Sequence, residues 1–241
     1  MRALILAAGR GSRMKKLTDH RPKCLVEFHG RTLLARQFEA LTGGGVHKIA
    51  LITGYKRDML APLAPTEFHN PRWAETNMVS SLACAGAWLL EAPCIVSYSD
   101  IFYDAEAIRL LRESQSDIAI TYDPNWLKLW KRRFDDPLSD AETFAVHRDG
   151  TLAQIGDKPE TLDQVEGQYM GLLRISPRGW SEILRIRRLL TDQKRDRIDM
   201  TGLLQTILKE GNIPVQAIPY TGKWGEVDSA NDLLVYSGGA T

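Results

Sequence analysis

The chain has 241 residues and balances 31 Lys and Arg residues against 30 Asp and Glu residues, which gives a formal net charge of +1. This balance argues against binding of nucleic acid or anionic membranes through bulk charge, so basic residues that bind anions are expected to act locally. Three widely spaced cysteines form neither a CxxC pair nor a zinc pattern, which predicts a reducing, cytoplasmic compartment. No stretch approaches the ~18 apolar residues of a membrane span. Together with the balanced charge, this means that neither a membrane nor a nucleic acid is expected as a partner.

The first half of the chain alternates strand and helix patterns. The apolar run at 3–8 is typical of a buried strand, and 32–44 places Leu34, Phe38 and Leu41 on one helical face. Further strands are predicted at 48–53, 66–70, 94–100 and 117–123, and further helices at 55–63, 78–90 and 104–114. Such alternation predicts an α/β fold with a mostly parallel sheet and helices on both of its faces.

The pattern changes after residue 123, where residues 124–142 are rich in Trp, Arg and Asp. The remaining strands are predicted at 143–147, 152–156, 168–176, 214–219 and 223–228, and the remaining helices at 177–190, 199–210 and the end of the chain. Because no repeat, low-complexity segment or linker interrupts the sequence, we expect a single domain over 1–241 in which the second half completes the fold.

Two glycines and two arginines follow the first predicted strand, in the segment GRGSR (9–13). Glycine lets the backbone approach a ligand closely and adopt positive φ, and successive N–H groups then form a nest for an anion. The segment is neither a Walker A loop nor a dinucleotide-binding fingerprint, because no Gly-Lys-Ser/Thr follows it and Met14 stands where a third glycine is required. Taken alone, it fits a phosphate-binding loop or a tight turn with a solvated arginine.

More distant segments extend this pattern. LAAGRGSR (6–13) is followed by Pro22-Lys23 and then by GRTLL (30–34), and WGEVDSANDL (224–233) lies near the end of the chain. In this combination the chain resembles the nucleotidyltransferases that join a nucleoside triphosphate to a phosphorylated small molecule. Their usual Leu-x-Pro-Leu-Thr spacer is replaced by MKKLT in this sequence.

The resemblance covers nearly the whole chain and implies a GT-A-like fold. This fold has a Rossmann-like sheet that is mostly parallel but mixed, helices on both faces of the sheet and an acceptor-binding insertion. In it, 1–123 would mainly bind the nucleotide and 124–241 would mainly bind the acceptor. A homodimer is compatible with this family, and the sequence does not decide the oligomeric state.

The resemblance assigns Mg²⁺ to Asp100 and Asp228, each of which closes a predicted strand. Mg²⁺ prefers hard oxygen ligands, and one or two carboxylates plus substrate phosphates suffice to hold it. If the two strands are neighbours, both carboxylates meet at the carboxyl edge of the sheet, whereas either aspartate alone could equally cap a helix. We expect Arg13 and Lys23 to act with them as catalytic residues, because they can neutralise charge on the triphosphate and the departing pyrophosphate.

The nucleotide is expected to contact the glycine loop and the helix predicted at 78–90. The expected nucleotide-binding residues are Leu6, Ala8, Gly9, Gly11, Ser12, Arg13, Lys23, Asn77, Ser80 and Ser81. NMVSSLACA (77–85) resembles the phosphocholine cytidylyltransferase branch of the family, which includes enzymes acting on aminoalkyl phosphonates and points to CTP as the donor. The asparagine and serines of this segment could equally cap and pack the helix.

The branch implies a small aminated phosphomonoester or phosphonate as acceptor, phosphocholine-like and suited to capsule or lipopolysaccharide decoration. The expected acceptor-binding residues are Trp126, Trp130, Asp140, Glu142, Lys158, Tyr169, Asp199, Trp224 and Glu226. Aromatic rings could form a cage for a quaternary ammonium, where cation–π attraction is worth about 0.5–2 kcal/mol, and carboxylates would suit any amine. The i, i+4 spacing of Trp126 and Trp130 also fits ordinary helical packing.

Three other functions stay open at this point. A sugar-1-phosphate nucleotidyltransferase that uses UTP, dTTP or GTP would share the fold, and a phosphorylated amino acid could replace the amine phosphate as acceptor. A nucleotide-binding regulator without catalysis is disfavoured, because Arg13, Lys23, Asp100 and Asp228 all remain in place. Measured base preference separates the sugar-phosphate enzymes from the cytidylyltransferases, pyrophosphate release would exclude a regulator, and a comparison of acceptors identifies the substrate.

Overall fold

Runs of apolar residues form the strands of a seven-stranded mixed sheet. The computed structural model describes residues 1–237, so 238–241 of the predicted domain lie outside the described residues. The strands are β1 (Arg2–Ala7), β2 (Glu27–Phe28), β3 (Arg31–Thr32), β4 (Lys48–Thr53), β5 (Glu67–His69), β6 (Cys94–Tyr98), β7 (Ile101–Tyr103), β8 (Ile118–Asp123), β9 (Phe144–Val146), β10 (Leu152–Ile155), β11 (Gln168–Ile175), β12 (Val215–Pro219) and β13 (Trp224–Glu226).

Amphipathic segments form the helices. The α-helices are α1 (Leu33–Gly43), α2 (Arg57–Leu60), α3 (Met78–Ala83), α4 (Gly86–Glu91), α5 (Ala105–Glu113), α6 (Trp126–Arg133), α7 (Pro177–Leu189), α8 (Asp192–Arg197), α9 (Met200–Glu210) and α10 (Ala230–Ser237). Short 3-10 helices occupy Ser12–Thr18, Lys23–Leu25, Ala61–Leu63, Pro137–Ser139 and Leu162–Gln164. Helix α1 is capped at its N-terminus, since the Thr32 side chain accepts a hydrogen bond from the backbone N–H of Ala35 at 3.1 Å.

The strand order of the main sheet is β12-β8-β11-β6-β1-β4-β5. Strand β11 runs antiparallel to both of its neighbours, β6 and β8, and the other described neighbours pair in parallel. Residues 3–7 of β1 are buried, as expected for a central strand that is covered on both faces. Helix α1 packs with α5, and α7 packs with α4 and α9, so the sheet carries helices on both faces and the predicted fold class is confirmed.

Three predicted elements differ from the structure. The helix predicted at 78–90 is divided into α3 and α4, and the strand predicted at 94–100 ends as β6 at Tyr98. The strand predicted at 223–228 forms β13, which pairs with β7 outside the main sheet. The condition placed on the two candidate metal ligands, that their strands be neighbours in that sheet, is therefore not met.

A small antiparallel ribbon brings the two aspartates together instead. In the ribbon formed by β7 and β13, Ile101 pairs with Glu226, and the backbone N–H of Val227 donates to the carbonyl of Asp100 at 2.9 Å. Asp100 precedes β7 and Asp228 follows β13, so an antiparallel register places both residues at the same end of the ribbon.

A second, smaller apolar cluster ties the chain after the glycine loop to this ribbon. Its buried members are Met14, Val26, Phe28, Leu33, Phe102 and Val227. Because the cluster joins residues on both sides of Lys23 to residues of β7 and the segment after β13, it fixes the backbone that carries Lys23 beside the ribbon.

Two further predictions from the sequence concern the cysteines and membrane-spanning segments. Cys24 and Cys94 are buried, Cys84 is exposed, and all three are free. Among the helices within 1–237, none combines the length and apolar character needed to cross a membrane.

Candidate active site

The glycine loop folds around the side chain of Lys23. Gly11 has φ of +66°, and a Cβ at this position would lie 2.9 Å from the Cβ of Lys23. Both the backbone conformation and the close approach therefore require glycine here. Gly9, by contrast, faces open space, because no atom lies within 4 Å of where its Cβ would be.

Lys23 lies between the two aspartates that were predicted to bind metal. Its side chain is 6% exposed, and its Nζ donates to Asp100 Oδ2 at 2.7 Å and to Asp228 Oδ1 at 2.5 Å. Burial alone would lower the pKa of this ammonium, but the two carboxylates raise the pKa overall. The structure thus brings together three of the four predicted catalytic residues around one buried positive charge.

Arg13, the fourth predicted catalytic residue, approaches the same centre from solvent. Its side chain is 64% exposed, and one guanidinium nitrogen lies 2.9 Å from Asp228 Oδ1. Although burial raises the pKa of Asp228, Lys23 and Arg13 lower that pKa overall, so the carboxylate stays ionised.

A third carboxylate, from Glu226, joins the centre. Single oxygens of Asp100, Glu226 and Asp228 lie within 4.8 Å of one another. Burial, reinforced by the charges of Asp228 and Asp100, holds the pKa of Glu226 well above its usual range. We expected Glu226 to contact the acceptor, and it does line the second pocket described below, but the structure also places it in this carboxylate cluster.

The donor set of this cluster suits a hard divalent cation. Oδ1 of Asp100 is buried and makes no hydrogen bond within the described residues. Such an orphaned carboxylate oxygen is costly unless a cation or donor satisfies it. Mg²⁺ takes oxygen ligands of this kind and tolerates a site with only one or two carboxylates. The residues therefore fit the predicted metal, which Asp100 and Asp228 would hold.

A buried arginine and aspartate hold the segment after β13 in place. The side chain of Arg133 is 0% exposed, and its Nε donates to Asp232 Oδ1 at 2.8 Å. Oδ2 of Asp232 accepts hydrogen bonds from the backbone N–H groups of Asp228 at 2.9 Å and Ser229 at 2.8 Å. Asp232 was not predicted as a site residue, although it lies inside the closing motif that carried the resemblance.

A pocket of about 170 Å³ opens between the glycine loop and the segment before α3. The predicted nucleotide-binding residues that line it are Leu6, Ala8, Gly9, Gly11, Lys23, Asn77 and Ser81. The lining residues that sequence analysis missed are Trp73, Thr76, Met78, Tyr98 and Ser99. Four of the five directly flank Asn77 or precede Asp100, and Trp73 lies four residues before Asn77, so their proximity along the chain to predicted residues was the available signal.

Three predicted nucleotide-binding residues do not line this pocket, and their contact with the nucleotide stays a prediction. Ser80 turns the other way, because its Oγ donates to the carbonyl of Arg195 at 3.1 Å. Ser12 is exposed and begins the 3-10 helix after the loop, while Arg13 lines the second pocket. Neighbouring residues of one helix or turn point in different directions, so the sequence alone does not show which of them line the pocket.

A second pocket, also of about 170 Å³, lies on the other side of the carboxylate cluster. Its lining includes the predicted acceptor residues Asp140, Glu142, Tyr169 and Glu226. It also includes Arg13, Tyr98, Gln168, Met170, Gly171, Thr201 and Asp228. Burial is the main cause that raises the pKa of both Asp140 and Glu142, and neighbouring carboxylates add to it.

The three predicted tryptophans do not reach this pocket, and the aromatic cage is corrected. Trp126 is buried and donates from Nε1 to the carbonyl of Val165 at 2.9 Å, and Trp130 is 0% exposed. Trp224 is also buried, and its Nε1 donates to Asp123 Oδ2 at 2.9 Å. The i, i+4 spacing in α6 therefore serves core packing, which was the simpler interpretation of the pattern.

Two charged residues expected at the acceptor also have structural partners elsewhere. Lys158 donates from Nζ to the carbonyls of Leu138 and Ser139, and it does not line the second pocket. Asp199 caps α9, because its Oδ1 accepts from the backbone N–H of Gly202 at 2.8 Å. Neither residue lines the second pocket, and their contact with the acceptor stays a prediction.

Comparison with known proteins places this site in a family. The model of the MobA-like NTP transferase domain matches residues 3–171. A CTP:phosphoglutamine cytidylyltransferase of Campylobacter jejuni is 35% identical over 251 residues, which cover 98% of both chains. A 2-aminoethylphosphonate cytidylyltransferase of Lancefieldella rimae is 30% identical over 119 residues, covering 47% of this chain and 48% of the relative.

A solved structure shares the fold across the whole molecule. The inositol-1-phosphate CTP transferase from T. maritima superposes with a TM-score of 0.76 at 17% identity, covering 100% of this chain and 98% of the other. Together with the glycine loop and the carboxylate cluster, these matches confirm the resemblance seen in the sequence. The chain belongs to the MobA-like NTP transferase domain family and is a nucleotidyltransferase.

Proposed function

We propose that this enzyme transfers the cytidylyl group of CTP to a phosphate or phosphonate oxygen of a small acceptor that carries an ammonium group. The main support for the proposal is that two pockets lie on opposite sides of one charged centre. The first pocket is lined by the glycine loop, the second by acidic side chains, and Lys23, Asp100 and Asp228 lie where they meet.

The choice of CTP rests on the relatives and on the sequence of α3. The Campylobacter and Lancefieldella relatives are both named as cytidylyltransferases. The segment 77–85, which resembles the cytidylyltransferase branch, contributes Asn77, Met78 and Ser81 to the first pocket. Both lines of support favour cytosine over the bases used by the sugar-phosphate enzymes.

The choice of acceptor rests on charge. The second pocket contains the carboxylates of Asp140 and Glu142, and burial raises the pKa of both. Asp140 has a cation 4.0 Å away in Arg13, and a positively charged ligand would favour the ionised form of both carboxylates. Phosphoglutamine is the first candidate, because the relative named for it matches this chain over both the nucleotide half and the acceptor half. Phosphorylated ethanolamine and choline and 2-aminoethylphosphonate are further candidates of the same charge type.

The acceptor phosphate is itself the nucleophile in this proposal. The second pKa of a phosphate monoester is about 6, so the group is largely dianionic at neutral pH and needs no general base. One of its oxygens forms a bond to the α-phosphorus of CTP while the bond from that phosphorus to the bridging oxygen breaks. Pyrophosphate then leaves with the bonding electrons, and no group is oxidised or reduced.

The protein contributes position and charge to this step. Lys23 and Arg13 are placed to donate charge-assisted hydrogen bonds to the phosphates on the two sides of the centre. Asp100 and Asp228 would hold Mg²⁺, which when bound neutralises phosphate charge and orients the phosphates. The core-buried ribbon and Asp232 keep these carboxylates aligned.

A pyrophosphate-release screen tests the proposal. Five nucleoside triphosphates are combined with phosphoglutamine, phosphoethanolamine, phosphocholine, 2-aminoethylphosphonate and glucose 1-phosphate, each with Mg²⁺. We expect turnover with CTP and at least one aminated acceptor. Efficient turnover of glucose 1-phosphate with none of the aminated acceptors would move the enzyme to the sugar-phosphate branch, and the absence of pyrophosphate with every pair would favour a regulator.

A further inference from the structure

The polar atoms of the acceptor pocket are dominated by hydrogen-bond acceptors. Besides the carboxylates of Asp140 and Glu142, the pocket is lined by Gln168, whose Oε1 is buried and makes no hydrogen bond within residues 1–237. Within residues 1–237, Arg13 is the one cation that lines the pocket, and its guanidinium lies 2.9 Å from Asp228 Oδ1 and 4.0 Å from Asp140 Oδ1. A ligand that brings an N–H donor would satisfy the Oε1 of Gln168, and a positive charge on that ligand would complement the two carboxylates.

Strand pairing holds the backbone of Gln168 at the edge of this pocket. It is the first residue of β11, where its backbone pairs with Asp123 of β8. A buried polar oxygen without a partner costs free energy, so the Oε1 of Gln168 is expected to have a ligand as its partner. A side chain carried by a central strand also orients a ligand more accurately than one on a loop.

The aromatic groups in this pocket do not form a cage. The three tryptophans expected there are buried in the core, and the remaining rings, Tyr98 and Tyr169, pack edge to face with their centroids 6.0 Å apart. A quaternary ammonium has no N–H group and depends on several ring faces around it, whereas a primary ammonium donates three hydrogen bonds.

We infer that the acceptor carries a primary ammonium group and that Gln168, together with Glu142, binds its N–H groups and rejects the trimethylated counterpart. The inference rests on the proposed function, since it concerns the acceptor of the same transfer. Gln168 is thereby a specificity-determining residue of the acceptor pocket.

The test compares acceptors that differ only in methylation. Phosphoethanolamine is paired with phosphocholine, and phosphoglutamine with its α-N-trimethyl derivative, each assayed with CTP by pyrophosphate release. One hydrogen bond to a charged group corresponds to about tenfold to a hundredfold in affinity, so we expect kcat/KM to favour the primary amine by at least that factor.

The variant Gln168→Met removes the amide at nearly constant volume. We expect it to lower kcat/KM for the primary amine about tenfold or more while the value for the trimethylated acceptor changes little. Gln115→Met, at an exposed position after α5, is the matched control and should leave both values unchanged. Calorimetric titration with CTP verifies that the variant still folds and binds nucleotide.

The outcomes separate this inference from the proposed function. Equal kcat/KM for both members of a pair in the wild type would overturn the inference and leave cytidylyl transfer standing, even if the variant does not fold. An unchanged preference in a Gln168→Met enzyme that binds CTP would overturn the role of Gln168. No pyrophosphate from CTP with any of the four acceptors would refute the proposed function, and the inference with it.

Discussion

Lys23 occupies the oxygens that the proposed metal would need. Its ammonium bonds to Asp100 Oδ2 and Asp228 Oδ1, and the pair lies beside a buried, unpaired carboxylate oxygen. A lysine and a divalent cation that use the same two carboxylates compete electrostatically. In the free enzyme, Lys23 therefore supplies the positive charge that the carboxylate cluster requires, and the metal is expected to enter together with the triphosphate.

The variant Lys23→Met tests this competition. Removing one partner of a buried ion pair typically costs about 3–5 kcal/mol, so we expect the melting temperature to fall and Mg²⁺ alone to restore much of it. In the wild type without nucleotide, Mg²⁺ should change the melting temperature little. Lys158→Met, which removes a lysine outside both pockets, should behave like the wild type. Equal responses of wild type and Lys23→Met to Mg²⁺ would show that Lys23 and the metal do not compete.

Two adjacent serines of α3 provide a matched pair for the nucleotide pocket. Ser81 is buried and lines the pocket, where it accepts a hydrogen bond from Asn70 at 2.9 Å, whereas Ser80 bonds to the carbonyl of Arg195. We expect Ser81→Ala to raise the KM for CTP, and Ser80→Ala to leave it unchanged. Steady-state kinetics with CTP varied at a saturating acceptor concentration measures the KM of both variants. A raised KM in Ser80→Ala with an unchanged KM in Ser81→Ala would exclude Ser81 from nucleotide contact.

The sequence predicted the role of some single residues better than that of others. Lys23, Asp100 and Asp228 belong to short motifs whose chemistry is specific, and the structure brings all three together. Trp126 and Trp130 show the limit, because an aromatic ring suits a cage and a core equally well. Which of the two it serves depends on packing against elements far away in sequence, such as the segment that carries Val165.

At the scale of elements, the β7–β13 ribbon and the start of α10 form the support of the carboxylate cluster. Asp232, in the first turn of α10, binds the backbone of Asp228 and the guanidinium of Arg133 at the same time. A hydrogen-bonded outer residue of this kind orients a metal ligand, and its loss typically costs about 10–100-fold in metal affinity or activity.

We therefore expect Asp232→Asn to lower kcat about 10–100-fold and to raise the Mg²⁺ concentration that half-saturates the enzyme. Its affinity for CTP without metal should change little, because Asp232 does not line the nucleotide pocket. Kinetics as a function of Mg²⁺ and calorimetry with CTP measure these effects, and Asp135→Asn, at an exposed position, is the control. A normal Mg²⁺ dependence in Asp232→Asn would refute its positioning role.

The pairing of β7 with β13 could not be predicted from the sequence, for a physical reason. Its strands have three residues each, too few to show a reliable periodicity, and they are separated by about half of the chain. The sequence indicated that both aspartates end strands, and the two do lie together, but in a pairing of β7 with β13 instead of in the main sheet. Long-range pairing of short strands is decided by tertiary packing, which local patterns do not encode.

At the scale of the whole molecule, the alternation of strands and helices was sufficient to predict the fold class. The continuous apolar runs of β1 and β4 indicated parallel strands covered on both faces, and the structure confirms this. The position of β11 between β6 and β8 could not be predicted, because strand order depends on contacts between distant segments.

The two halves of the chain meet at the site. The first pocket is lined by residues of 1–123 alone, and the second combines Arg13 and Tyr98 with residues of 124–241. This distribution supports the expected division into a nucleotide half and an acceptor half, which stays a prediction until ligands are located. Tyr98 lines both pockets and marks where the two substrates would approach each other.

The proposed reaction depends on one event, the attack of an acceptor phosphate oxygen on the α-phosphorus of CTP. Phosphoglutamine that carries a heavy oxygen isotope in its non-bridging phosphate positions tests this event by mass spectrometry of the products. We predict that all of the heavy oxygen stays in the product that joins CMP to the acceptor and that pyrophosphate is unlabelled. Heavy oxygen in pyrophosphate, CDP as a product, or free CMP with unreacted labelled acceptor would contradict the account.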